Sequence, residues 1–179
     1  SGMEPSASVG AAPLLAHPTK ARRNLLLQLT HALHGGGSGC YSPFLQLWLR
    51  AALGLSPHTI GIISASTSAA AIVGVPLICA MFDWIARPSA CLSAAVLLDA
   101  VLHLLYMMLP WLSRQAAAQL AGVPPWLGST LPVLMCGEML HTATYTLVDA
   151  VTLAALTDKL QYGTIRLYAG LAWAASSLG

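Results

Sequence analysis

Charge is what this sequence has least of. Of its 179 residues, 8 are Lys or Arg and 6 are Asp or Glu, 8% charged in all, where an ordinary soluble domain carries about 25%. Hydrophobic residues make up 56% of the chain and the mean hydropathy is +0.70. So little charge cannot coat a water-soluble fold, and a net charge of +2 predicts no nucleic-acid partner. The 4 cysteines, Cys40, Cys79, Cys91 and Cys136, lie in apolar runs without CxxC spacing, which predicts neither a zinc ribbon nor a disulfide framework. No cofactor and no metal is expected. The first 19 residues, rich in Ser, Ala, Pro and Gly, lack the basic start and apolar core of a cleaved secretory signal. Residues 1–23 read as a disordered tail.

What the chain does have is long apolar runs. Lys20, Arg22 and Arg23 stand directly before the first of them, and the runs predict membrane spans at about 24–53, 59–82, 89–112, 130–156 and 163–179. The first span is broken up by Gly35, Gly36, Gly37 and Gly39 and by Pro43, so it is expected to bend or to let a neighbouring backbone approach closely. Gly54-Leu55-Ser56-Pro57 predicts a turn with Ser56 as an N-cap, and Arg114 with Pro124-Pro125 marks a loop before the fourth span. With the N-terminus cytoplasmic, Lys20, Arg22, Arg23, Arg87, Lys159 and Arg166 fall on that side and Arg50 and Arg114 on the other, 6 of the 8 basic residues against 2. The positive-inside rule supports that orientation. The expectation is an integral, multi-pass, all-α membrane protein whose partners include the lipid bilayer.

Ionisable groups inside the spans are the candidates for function, because each is costly in lipid unless it is paired or faces a watery cavity. Glu138, His141, Tyr145 and Asp149 are spaced i, i+3, i+7 and i+11, which gathers them into an arc of about 80° on one helix face. On the first span His31, His34, Ser38 and Ser42 make a second polar face. Asp99, His103 and Tyr106 make a third, where the i,i+4 spacing of Asp and His predicts a structural pair sharing a proton. Gly36-Gly37-Ser38-Gly39 matches the G-x-S-G of rhomboid intramembrane serine proteases, with His103 or His141 as nominal base. Its place in a Gly-rich first span speaks for a chance match, and no enzymatic activity is expected.

The C-terminal stretch carries the most specific pattern. Asp149 stands in an apolar run, Tyr162-Gly163-Thr164-Ile165-Arg166 follows a short polar turn, and Gly170 and Trp173 lie in the next run. This resembles the span 4 to span 5 region of the lactose permease branch of the major facilitator superfamily. Asp83 and Arg87 also resemble the surviving charges of that superfamily's signature between spans 2 and 3. The resemblance implies the N-terminal helical bundle of a major facilitator, truncated in span 5, whose C-terminal half is missing. It implies a secondary active transporter of a small polar solute, with proton-coupled symport of a sugar or nucleoside, and a gating role for Asp83 and Arg87. Asp149, Arg166 and Trp173 would bind the substrate, with His31, His34, Glu138 and His141 as further candidates from the polar faces. The alternative is a non-transporting membrane protein acting through partner binding.

Overall fold

The computed structural model describes residues 20–85, 88–119 and 122–178, and among these residues it is all helix and turn, without strands. Five helices follow in order: α1 (Lys20–Leu53), α2 (Pro57–Trp84), α3 (Pro88–Gln119), α4 (Leu131–Ala155) and α5 (Tyr162–Ser177). Helix α1 takes in Lys20 to Arg23, which the sequence places in the tail, and it runs through Pro43 without a break. Residues 1–19 and Arg87 lie outside the described residues. The turn at residues 54–57 is built as the sequence predicts. Gly54 takes a φ of +65°, a left-handed conformation that Gly adopts without a Cβ penalty, and Ser56 Oγ accepts from the Thr59 amide at 3.1 Å. Helix α3 extends well past Leu112, because residues 115–119 (Gln-Ala-Ala-Ala-Gln) are strong helix formers. Arg114 is therefore helical and donates from Nε to the Pro110 carbonyl at 3.2 Å. A single π-helical turn, Trp126–Thr130, leads into α4.

Two helical segments, Pro57–Trp84 and Ala90–Gln115, are long and apolar enough to cross a bilayer. Their outer faces expose Ile72, Val73, Leu77 and Met81 on α2, and Leu97, Leu104 and Trp111 on α3. So much contiguous apolar surface suits hydrocarbon and not water. The fold is that of an all-α membrane protein.

Helix α1 packs chiefly on α5, while α2 and α3 pack on α4. The α1–α5 contact depends on glycine: a Cβ at Gly35 would collide with the backbone of Ala169, and one at Gly39 with the Trp173 carbonyl and the Ser176 hydroxyl. Small residues four apart bring membrane helices into backbone contact. At the far end of α1, Leu49, Ile60, Ile63, Tyr106, Leu109 and Leu134 form an apolar plug.

Candidate functional site

Helices α1 and α4 run antiparallel with their polar faces turned together. As residue numbers rise along α1, those of its partners on α4 fall. His31 Nε2 lies 3.0 Å from Thr152 Oγ1, the His34 ring stands edge-on to Tyr145 with centroids 3.9 Å apart, and Ser38 Oγ lies 3.3 Å from His141 Nε2. The helical spacing of these residues on both elements is what makes the register possible. Below His31, Asn24 Nδ2 donates to Gln161 Oε1 at 3.0 Å. From Asn24 to Tyr41, α1 rises about 25 Å at 1.5 Å per residue, most of the roughly 30 Å hydrocarbon thickness of a bilayer. A polar column thus runs through the bundle and stops at the apolar plug.

Helix α3 joins the column toward its Tyr41 end. Asp99 Oδ2 lies 3.0 Å from His141 Nδ1, and His103 Nδ1 lies 2.8 Å from the Asp99 carbonyl oxygen. Tyr41 stands edge-on to His103 with centroids 4.3 Å apart. Between α1, α3 and α4 a cavity of ≈ 790 Å³ opens, its wall formed in part by His34, Ser38, Tyr41, Asp99, His103 and His141, with Phe44 and Trp48 as aromatic neighbours. That volume lies in the range of small-molecule sites.

A second cluster lies nearer the N-terminal end of α1. Asp149 Oδ2 is 3.5 Å from Arg166 Nη1, which also donates to the Tyr162 hydroxyl at 3.1 Å. Asp149 Oδ1 is buried without a hydrogen-bond partner. The Arg166 side chain is 59% exposed, so most of its five N–H donors remain available to a ligand. His31, edge-on to Tyr162 at 6.5 Å, lies between this cluster and the column.

Of the residues singled out from sequence, His34 and His141 line the cavity, Asp149 and Arg166 meet in the second cluster, and His31 stands between the two. Trp173 follows Arg166 by two turns on the same side of α5, 42% exposed, with its backbone against Gly39. Glu138 is half-buried one turn before His141 and is not among the described residues that line the cavity. Asp83 is exposed near the end of α2, and its expected gating partner Arg87 lies outside the described residues. Asp99 and His103, read from sequence as a structural pair, belong to the cavity wall. Their signal was present in the spacing of Asp99, His103 and Tyr106 on one face, but the sequence holds no record of which helix that face meets.

A family model described as the MFS_1 like family matches residues 27–179. No curated protein and no solved structure matches the chain.

Proposed function

The chain belongs to the MFS_1 like family, and from that premise we propose that it is a multi-pass, secondary active transporter of a small polar solute. Membership supports a transporter-like function in a membrane, and such proteins are generally not enzymes. The observation that carries the finer reading is the polar column. A bundle that had only to fold in lipid would gain nothing from His31, His34, Asp99, His103, His141 and Asp149 in its interior, since each is costly in a low-dielectric medium. A solute pathway needs such groups.

In this reading the solute carries hydroxyls, as a sugar or nucleoside does, and sits between this bundle and a second helical half, the arrangement by which major facilitators alternate access. The Asp149 carboxylate accepts from a hydroxyl, and Arg166 donates through its planar fork. Trp173 offers an apolar face to a ring, and Asp83 with Arg87 gates the cytoplasmic end. Proton coupling draws on the histidines, whose charge changes closest to physiological pH.

The test is uptake of labelled sugars and nucleosides into proteoliposomes holding the whole protein, with and without an inward proton gradient. The expected result is gradient-stimulated uptake of one solute class, lost in both Asp149→Asn and Arg166→Gln. Exchanging the charges, Asp149→Arg with Arg166→Asp, should not restore it, because each group meets its own part of the solute with its own donor or acceptor geometry. A charge-exchanged protein that transports normally would reduce Asp149 and Arg166 to scaffolding, and no uptake of any solute tested would sink the reading.

A further inference from the structure

We propose that Asp99, His103 and His141 form a binding site for a divalent transition metal ion, Zn²⁺ or one of similar ligand preference, in the wall of the cavity. The proposal stands on the geometry of these three side chains and does not depend on the transport reading. Each residue offers a ligand atom, and these atoms all lie within 4.8 Å of one another. His141 Nδ1 is 3.0 Å from Asp99 Oδ2, and His103 Nδ1 is 3.3 Å from Asp99 Oδ1. In a tetrahedral sphere with bonds of about 2.0–2.1 Å, neighbouring ligand atoms stand about 3.3 Å apart. Two imidazoles and one carboxylate, drawn from two helices, are a ligand set that such ions accept with a coordination position left open.

Distances of this size also suit hydrogen bonds, and two observations favour an ion. Asp99 is 8% exposed, and its Oδ1 is buried with no hydrogen-bond partner. A cation supplies that partner. The second observation is the outer shell. When His141 binds through Nδ1, its Nε2–H points at Ser38 Oγ, 3.3 Å away, the kind of anchor that sets the tautomer and ring orientation of a metal-bound histidine. The cavity gives the ion a route in and leaves its open position facing a ligand or water.

The test uses Co²⁺ as a spectroscopic stand-in, titrated into the detergent-solubilised whole protein purified without a polyhistidine tag and then displaced with Zn²⁺. One equivalent of Co²⁺ should bind and give the intense visible bands of low-symmetry four- or five-coordination. Asp99→Asn and His141→Gln should each weaken binding by tenfold or more, Ser38→Ala by about 10- to 100-fold, and Asp149→Asn not at all. Because a ligand variant can fail to fold, His103→Cys serves as the positive arm: it should keep the site and add a sulfur-to-cobalt charge-transfer band. Co²⁺ that binds equally well without Asp99 and His141, or a His103→Cys protein that shows no charge-transfer band at saturating Co²⁺, would overturn the proposal. Loss of solute uptake would not bear on it, since binding is read at equilibrium.

Discussion

At the scale of the residue, Ser38, His141 and Asp99 stand in the order of a serine hydrolase: hydroxyl to imidazole at 3.3 Å, imidazole to carboxylate at 3.0 Å. Geometry of that kind needs a third part, donors that meet the developing oxyanion, and losing a single such donor costs about 10²- to 10³-fold in rate. Ser38 lies deep inside α1, which is continuous from Lys20 to Leu53, so the amides around it are spent on the helix ladder. We expect a fluorophosphonate probe to leave the protein unlabelled. Labelling that disappears in Ser38→Ala would make Ser38 a nucleophile after all. The hydroxyl instead orients His141, whose other nitrogen faces Asp99.

At the scale of the element, α1 serves two neighbours with two faces. Its histidines and Ser38 face α4, while Gly35 and Gly39 let α5 approach until backbones touch. Gly37 sits between them, and a Cβ there would meet nothing within 4 Å. Gly35→Ala and Gly39→Ala should therefore destabilise the protein by about 1–3 kcal/mol, the usual cost of overpacking, and Gly37→Ala should not. Thermal unfolding in detergent, followed by circular dichroism, reads the difference. Equal melting temperatures for all three variants would mean that α1 and α5 do not rely on this contact. The α4–α5 connection is held by small devices: the Lys159 ammonium donates to the Leu153 carbonyl at the end of α4, and Asp158 accepts from the Leu160 amide at 3.0 Å.

At the scale of the molecule, much of the exterior is apolar, and most of the described charged residues stand exposed, Lys20, Arg22, Arg50, Asp83, Arg114, Asp158, Lys159 and Arg166 among them, while Asp99 is buried. The few basic residues of the bundle predict that the N-terminal end and the Lys159 turn face the cytoplasm. A cysteine placed at Ser113, near the opposite end, in a protein whose own Cys40, Cys79, Cys91 and Cys136 have been replaced, should react with an impermeant maleimide only from the non-cytoplasmic side. Labelling from the cytoplasmic side alone would invert the topology and with it the assignment of Asp83 and Arg87 to a cytoplasmic gate.

Class and local register were legible in the chain alone. Scarce charge and long apolar runs demand lipid, a statement about solvation that needs no coordinates. The 3.6-residue period determines that Glu138, His141, Tyr145 and Asp149 share a face, and likewise Asp99, His103 and Tyr106. Ser56 before Pro57 determines a helix start. What a face meets is a different kind of fact. Asp99 and His103 read as a pair closed on itself, because spacing along one helix reports only neighbours on that helix. Their contact with His141, and that of His141 with Ser38, arise from the way α3 and α1 dock on α4, and that docking depends on shape at positions such as Gly137, where a Cβ would collide with the Tyr106 side chain. The fate of Trp173 has the same origin: close packing of its backbone on Gly39 sets where α5 stands. Periodicity acts within an element, whereas a site drawn from three helices exists only once packing has chosen their faces.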